Sequence, residues 1–208
     1  MLFRSGHLQL IEPAVGEASP DAAAHLRSAL SRVDATSDIL NQMLELARAI
    51  DPEREYELGA VALLPALISV LSNHEIEFVE RQREPLINFE DEAVHVEGDP
   101  GALERVLENI VVNSIRHGSS PLMCRQFKMG ALVVLEMSNE VDDPGSIDVN
   151  SLFRRFYRAD RSRRGEGTGL GLPIAKALAE GMGMKLSARL CGETITFTLE
   201  MKSRCGWC

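Results

Sequence analysis

The chain has 208 residues, a hydrophobic fraction of 45% and a formal net charge of −9. This length can bury one ordinary core together with a smaller unit, whereas the acidic charge disfavours nucleic acid and anionic membranes, which need clustered Lys and Arg. The sequence contains no run of about 20 apolar residues that could span a bilayer and no signal-peptide pattern after Met1. We therefore expect a cytoplasmic chain with no nucleic-acid partner and no membrane segment.

The four cysteines do not have the paired spacing of a zinc site. Only Cys205 and Cys208, in the terminal "CGWC", form a C-x-x-C pair, and this pair neither opens a helix nor follows a strand. We expect free thiols in a tail rather than a redox or metal centre.

Residues 1–51 are dominated by one long helical pattern. Between residues 19 and 50 the apolar side chains recur at steps of four and three, with Ser37 in the one gap: Leu26, Leu30, Val33, Leu40, Leu44 and Ala47. Such a seam favours a dimerising helical hairpin over a solitary helix packed on the next domain. Pro52 and nearby charges end the pattern, so we place the domain boundary between residues 51 and 52.

Residues 52–208 mix helix and strand patterns. Helices are predicted over 62–74, over 100–118 with Asp99 as N-cap and Pro100 in the first turn, and directly after the glycines at 165–171. Strands or β-rich segments are predicted over 75–82, 85–98, 122–127, 130–139, 184–190 and 193–201. The mixture predicts an α+β fold with one layer of helices on one face of a mostly antiparallel sheet.

Four glycines alternate at the start of the last predicted helix: Gly165, Gly167, Gly169 and Gly171. Alternating glycines let a ligand approach the backbone, and the N–H groups at a helix start favour an anion such as phosphate. The stretch lacks both the preceding strand of a dinucleotide-binding motif and the G-K-[ST] of a P-loop. A plain glycine hinge does not explain why a helix begins at once.

The predicted helix at 100–118 carries Asn109 and Asn113 one turn apart, with Arg116 on the next turn. Asparagine is a poor residue inside a helix, so the pair serves either core hydrogen bonds or a ligand. An amide oxygen suits Mg²⁺ that also touches nucleotide phosphates.

Residues 152–164 contain Phe153, Phe156 and a run of arginines. This segment is interpreted either as a positively charged lid over a phosphate site or as a solvated loop.

In this order the segments resemble the catalytic and ATP-binding domain of bacterial sensor histidine kinases, over roughly residues 56–201. "LENIVVNSIRHG" is similar to the asparagine-bearing helix of that family, "LFRRFYRAD" to its phenylalanine segment and "GTGLGLPIAKAL" to its second glycine box. Upstream, "RSALSRVDATSDILNQMLELAR" resembles the second helix of the dimerisation hairpin. The resemblance implies a left-handed β-α-β sandwich of the GHKL (Bergerat) ATPase type, shared with gyrase and the Hsp90 chaperones.

The resemblance also implies roles for individual residues. Asn113 would be the Mg²⁺ ligand, Asn109 would approach the phosphates, and Arg116 with His117 would contact phosphate or ribose. The amides of the second glycine box would wrap the triphosphate beneath the lid. The full nucleotide-binding set that we predict is Asn109, Asn113, Arg116, His117, Asn139, Phe156, Arg158, Gly165, Gly167, Thr168, Gly169, Leu170, Gly171 and Leu172. We predict no catalytic side chain, since phosphoryl transfer depends mainly on positioning and charge neutralisation.

The first departure from the family concerns the adenine contact. The family carries an aspartate fourteen residues before the first phenylalanine of its phenylalanine segment, and here that position is Asn139, with Phe153 as reference. An amide oxygen can still accept from the adenine amino group, without the charge assistance of a carboxylate. The rival is Asp143 in "DDPGSI", which keeps the acid but stands ten residues from Phe153.

The second departure is the missing phosphoacceptor. The family phosphorylates a histidine in a motif like His-Glu-Leu-Arg-Thr-Pro-Leu in the first hairpin helix, and no such motif occurs in the sequence. His25 in "HLRSAL" lacks the following acid and the proline, and only one helix fits between it and the boundary. We therefore expect a partial hairpin and no autophosphorylation by this chain alone.

The sequence as a whole predicts the kinase portion of a two-component sensor histidine kinase that uses ATP and Mg²⁺. It would form a homodimer through the hairpin, serve a response regulator receiver domain, and act in the cytoplasm, alone or as part of a membrane-anchored sensor. One alternative is a degenerate, non-catalytic nucleotide- or partner-binding module. Another is an anti-sigma-type serine kinase of the same fold.

Overall fold

A computed structural model of the chain describes residues 20–159 and 167–204. These residues divide into two compact units, one ending at Leu44 and one starting at Glu45. The described part of the first unit is the α-helix α1 (Pro20–Ala49) up to Leu44, and the last residues of this helix, from Glu45 on, belong to the second unit. Three residues of the predicted seam are exposed on α1: Val33 is 49%, Leu40 48% and Leu44 58% exposed. The domain boundary between residues 51 and 52 stays a prediction.

The second unit holds two sheets. Strands β1 (Gly59–Ala62) and β3 (His95–Gly98) pair in antiparallel fashion. The larger sheet consists of β2 (Leu86–Phe89), β4 (Met123–Met129), β5 (Leu132–Glu140), β6 (Lys185–Cys191) and β7 (Thr194–Lys202), in the order β2-β4-β5-β7-β6. Only the β2–β4 pair is parallel. The sheet is therefore mixed and mostly antiparallel, as predicted.

The core lies between this sheet and the helices. On β5 and β7 the pairs Leu135–Leu199 and Met137–Phe197 are buried, while the alternate pair Glu136–Thr198 is half-buried, as the period of two requires. The helices are α2 (Leu63–Asn73), α3 (Glu75–Glu80), α4 (Pro100–His117) and α5 (Gly171–Gly181). Helices α4 and α5 pack on each other, and they contact β5 and β6 respectively. The predicted layer of helices on one sheet face is confirmed.

Helix α4 begins where the sequence signals predict. The Asp99 side chain accepts a hydrogen bond from the Ala102 N–H at 2.9 Å, and Pro100 occupies the first helical position. The apolar residues then recur at helical spacing, so that Leu103, Val106, Leu107 and Ile110 are buried on one side. This burial fixes the rotation of α4 about its axis and therefore the direction of Asn109 and Asn113.

The β-rich prediction for residues 75–82 is wrong, because Glu75–Glu80 form helix α3. Two acidic residues in the first turn, Glu75 and Glu77, favour a helix N-terminus. Phe78 is buried, whereas Ile76 is 72% exposed, so the alternation of apolar residues does not correspond to one buried strand face.

Among the helices of residues 20–159 and 167–204, none has the length and hydropathy of a membrane span.

Candidate nucleotide-binding site

The glycine segment ends at α5 in a turn that faces α4. A Cβ at Gly171 would lie 2.9 Å from Oδ1 of Asn109, and a Cβ at Gly167 would lie 3.6 Å from Nη1 of Arg116. Asn109 is held in this direction because its Nδ2 donates to the Arg105 carbonyl at 2.8 Å. The structure therefore brings together the asparagine helix and the second glycine box, which are separated by about fifty residues in the sequence.

The backbone of the glycine segment adopts conformations that suit glycine. Gly167 has φ of 108° and Gly169 has φ of 71°, in the left-handed region that residues with a Cβ rarely adopt. Between them Thr168 directs its Oγ1 to accept from the Leu170 N–H at 3.2 Å. This turn precedes α5, and the first N–H groups of a helix are suited to an anion.

The phenylalanine segment packs directly on this turn. The Phe156 N–H donates to the Gly169 carbonyl at 3.0 Å, and a Cβ at Gly169 would lie 2.7 Å from the Tyr157 carbonyl oxygen. Phe156 itself has φ of 61° and a side chain 57% exposed. The Tyr157 hydroxyl accepts from the Asp148 N–H at 2.7 Å, which anchors the segment on its other side. Phe156 is thereby presented beside the glycine turn.

The remaining predicted residues lie around this centre. Asn113 is half-buried one turn after Asn109, and His117 is exposed at the last residue of α4. Arg158 is half-buried, two residues after Phe156. The Leu170 and Leu172 side chains are buried in the core, which leaves only their backbone for a ligand. Gly165 and the arginines at 161, 163 and 164 lie outside the described residues.

Asn139 and Asp143 have different surroundings. Asn139 is 4% exposed at the end of β5, where its Oδ1 accepts from the Ser114 hydroxyl at 2.8 Å and its Nδ2 donates to the Glu140 carbonyl at 2.8 Å. Asp143 is exposed, and it directly precedes the 3-10 helix Pro144–Ser146. Of the two, Asn139 is the one that contacts α4.

Two arginines support α4 from outside the predicted site. Arg81 donates to the Ile115 carbonyl at 3.0 Å, and Arg83 donates to the Gly118 carbonyl. Gln82 between them has φ of 53°, which bends the chain after α3. Cationic donors at the carbonyl end of a helix bond to its last acceptors and interact favourably with the negative end of its dipole. Sequence analysis missed both arginines, because the 34- and 35-residue separations leave no local signal.

Charged pairs also hold the first half of α4. Arg105 donates to both carboxylate oxygens of Glu45, with 2.7 Å between its Nη2 and Oε2, and this hydrogen bonding raises the pKa of the guanidinium. His74 lies 2.7 Å from Glu108 through Nε2 and 3.3 Å from Glu77 through Nδ1. Partial burial lowers the pKa of His74, but the hydrogen bonds to Glu108 and Glu77 outweigh it and leave the pKa raised.

Residues 98–203 match the model of the histidine kinase-, DNA gyrase B-, and HSP90-like ATPases. The chain belongs to this family. It carries the catalytic and ATP-binding domain found in sensor histidine kinases, with the GHKL fold that the sequence predicts. The two alternatives, a degenerate non-catalytic nucleotide- or partner-binding module and an anti-sigma-type serine kinase, are not favoured.

The relatives agree with this family, and the solved structures share its fold. The sensor histidine kinase YkoH of Bacillus subtilis (strain 168) is 29% identical over 153 residues, covering 73% of this chain and 33% of YkoH. The Acinetobacter baumannii histidine kinase AdeS has a TM-score of 0.71 at 19% identity, over 86% of this chain and 85% of the AdeS chain. Full-length ShkA in complex with AMPPNP also has a TM-score of 0.71, at 18% identity, over 89% of this chain and 39% of ShkA. The chain thus spans about a third of the length of YkoH.

Proposed function

We propose that this ATPase-family domain binds ATP between α4 and the glycine turn before α5. The observation that carries the proposal is the proximity of Gly171 to Asn109 and of Gly167 to Arg116, which brings an amide side chain, a cation and bare backbone to one place. These groups suit a polyphosphate, because its oxygens accept from N–H donors and its charge is offset by a guanidinium. The fold neighbour ShkA, determined with AMPPNP, supports a nucleotide in this fold.

Magnesium would be held by Asn113 together with the phosphates. Mg²⁺ commonly keeps several waters and takes only one or two protein oxygens when phosphates complete its shell. Asn113 is half-buried and carries an amide oxygen one helical turn from Asn109, so it can supply one such oxygen without a carboxylate. The metal, when bound, would neutralise charge on the phosphates.

The other predicted residues would complete the nucleotide contacts. Asn139 would accept from the adenine amino group, and it is favoured over Asp143 because it is buried beside α4. Arg116 and His117, at the end of α4, would contact phosphate or ribose. Phe156 and Arg158 would cover the nucleotide from the phenylalanine segment, which is already bonded to Gly169.

The bound ATP would donate its γ-phosphoryl group to a histidine outside this chain, and the phosphoryl group would pass on to a response regulator receiver domain. No described contact suggests His25 as the acceptor, and its surroundings lack the acid and proline of the family motif. Catalysis would rest on positioning and charge neutralisation rather than on a catalytic side chain. We place the reaction in the cytoplasm, where ATP is available.

We further propose that the chain forms a homodimer through α1. The exposed side chains of Val33, Leu40 and Leu44 follow the heptad steps along the first unit. A helix with an apolar stripe at this spacing gains stability by packing that stripe against another helix. The second copy of this chain presents the same stripe.

The test is the magnesium dependence of ATP binding. ATP affinity is measured with Mg²⁺ and with EDTA, for the unaltered chain, Asn113→Ala and the control Asn88→Ala, an exposed amide on edge strand β2. We expect Mg²⁺ to strengthen binding in the unaltered chain and the control but not in Asn113→Ala, with circular dichroism unchanged. A full magnesium effect in Asn113→Ala would reject Asn113 as ligand, and unfolding of that variant would show that its amide serves the core.

A further inference from the structure

The two edges of the larger sheet differ in composition. The edge strand β6 carries Lys185 and Arg189, both exposed, and charged residues on an edge strand discourage pairing with another chain. The opposite edge strand, β2, has the sequence "LINF", in which three of the four residues are exposed and none is charged or a proline. Strand β2 is short, but it lacks the residues that block an added strand.

The outer side of β2 presents unpaired backbone groups. The Leu86 N–H donates to the Leu122 carbonyl at 2.8 Å, on the side of β4. Because backbone groups alternate between the two sides of a strand, the N–H and C=O groups of Ile87 and Phe89 point away from β4. In the part of the chain that the structure describes, no strand pairs with this outer side. Unpaired backbone groups at a sheet edge are a template for a further strand.

An apolar groove of about 340 Å³ lies beside this edge, bounded by β2 and by the helices α2 and α3. Its lining includes the buried side chains of Leu71 and Phe78 and the exposed side chains of Ile68, Val79 and Ile87. Neighbouring apolar groups that are exposed mark binding sites, because covering them removes apolar surface from water. The groove and the open strand edge therefore form one continuous surface.

A strand added to β2 would place side chains in this groove. Ile87 lines the groove and Phe89 packs against the core, so both side chains point to the helix side of the sheet. Residues directly opposite on a neighbouring strand point to the same side. An extended segment bonded to β2 would therefore direct every second side chain into the groove, which is the recognition mode of edge-strand addition. A helix in the groove would leave the β2 backbone unpaired.

The charges around the groove favour a basic segment. The charged residues of its lining are Glu75 and Glu84, both exposed, and neither has an ion-pair partner in the described part of the chain. Arg81 and Arg83 are close in sequence, but they donate to carbonyls at the end of α4. A Lys or Arg of the bound segment would offset the two carboxylates and assist its approach.

A second copy of this chain is a poorer occupant. Antiparallel pairing of β2 with itself, centred on Ile87, would bring Glu84 of each copy opposite Glu90 of the other. Like charges directly opposite each other across two strands are destabilising. The net charge of −9 on each copy adds to this repulsion.

We propose that β2 and the adjoining groove form a docking surface for an extended segment of a partner protein. The groove-facing side chains of that segment are apolar in its middle and include a Lys or Arg at one end. The backbone of the segment pairs with Ile87 and Phe89, its apolar side chains fill the groove, and its basic side chain faces Glu75 and Glu84. This docking does not depend on nucleotide binding, because the proposed nucleotide site lies between α4 and α5.

The probe is the capped, fluorescent peptide KTITVTK, and its binding to the full chain is followed by fluorescence anisotropy. Lysine stands at both ends, so that either strand direction offers one to the carboxylates. We expect saturable binding that weakens with added salt and is lost for the acidic peptide ETITVTE. Failure of the unaltered chain to bind KTITVTK, or equal binding of ETITVTE, would overturn the inference.

Two isoleucine variants test the groove. Ile87→Ala should weaken the peptide by about tenfold, which corresponds to about 1.4 kcal/mol of lost apolar burial. Ile76→Ala is the matched control, since Ile76 is exposed on α3 outside the groove lining, and it should bind like the unaltered chain. Equal affinities of the two variants would overturn the inference. A fall in the oligomeric mass of Ile87→Ala would assign the groove to a second copy and overturn it as well.

Backbone pairing is tested on the unaltered chain, so this arm holds even if a variant fails to fold. Two forms of KTITVTK are methylated on alternate amide nitrogens, one form on the odd set and the other on the even set. Only one set faces β2 in either strand direction, so only one form should lose binding. Equal affinities of the two forms would overturn the inference. ATP affinity should be unchanged in Ile87→Ala, so that the docking surface and the proposed function fail separately.

Discussion

Gly171 lies so close to Asn109 that a Cβ at residue 171 would be 2.9 Å from Oδ1 of the asparagine. The obstructing atom is the end of a side chain that can move, and alanine is the better helix former. We therefore expect Gly171→Ala to change stability by less than about 1 kcal/mol and to displace the Asn109 amide. ATP affinity should fall by about fivefold, as for one lost hydrogen bond.

The matched control for that variant is Gly101→Ala in the first turn of α4. A Cβ there would have only Asp99 Oδ1 nearby, at 3.6 Å, which is an ordinary contact. Thermal unfolding and nucleotide titration should show two stable proteins, with weakened binding only in Gly171→Ala. Equal ATP affinity in both would mean that Asn109 does not contact the nucleotide.

Gly169→Ala should damage both the fold and the site. Its φ of 71° is unfavourable for alanine, and the new Cβ would lie within 2.7 to 2.9 Å of the backbone of Tyr157 and Phe156, which cannot move without the segment. We expect a loss of about 2 to 3 kcal/mol in the free energy of unfolding, measured in urea. Gly192→Ala has a similar φ of 59° but open space, so it should cost only about 1 kcal/mol.

Equal losses in the two variants would show that the backbone conformation alone is responsible. The contact between the glycine turn and the phenylalanine segment would then make no separate contribution to the free energy of unfolding. A larger loss in Gly169→Ala supports that contact.

The pH dependence of stability should carry a contribution from His74. Its pKa is raised in the folded chain above the ordinary value of 6.5, so protonation favours the folded state. The resulting stabilisation is present below the ordinary pKa and is lost as the pH rises through the folded pKa. In urea titrations His74→Gln should therefore lose more stability near pH 6 than near pH 8.5.

Glu108→Gln provides the complementary test, because it removes the carboxylate 2.7 Å from His74. The pH dependence of stability should shrink in that variant as well. A His74→Gln loss that is constant from about pH 6 to pH 8.5 would show that the ring contributes packing and not charge.

The Cys124 thiol should be inert in the native protein. It is buried on β4, and burial raises its pKa to about 12, whereas Cys191 is exposed. In a variant with Cys205→Ser and Cys208→Ser, a thiol reagent at neutral pH should modify one cysteine in buffer and two in denaturant. Two equally fast native reactions would contradict the burial of β4.

Local patterns were sufficient for part of the fold. The Asp99 cap, the Pro100 start and the apolar spacing of α4 all act within a few residues, so that the predicted helix agrees with the structure. The helix at residues 75–80 was missed, because six residues are too few to separate the alternating pattern of Ile76 and Phe78 from helical spacing.

For the site, the motifs and their order along the sequence were the basis for predicting that Asn109 and the glycine turn lie close together. The support around them was missed because it joins distant segments: Arg81 reaches Ile115, and Ser114 reaches Asn139. Ser114 did leave one signal. Serine, like asparagine, is disfavoured inside helices, so its presence in α4 indicates a hydrogen-bonding role, as for Asn109 and Asn113.

The most direct test of the account is a calorimetric titration of the chain with ATP in the presence of Mg²⁺. We predict saturable binding at one site per chain, together with a rise in the unfolding temperature as ATP is added. No heat and no thermal shift at about millimolar Mg-ATP, where even weak binding of about 4 kcal/mol would be seen, would contradict the account.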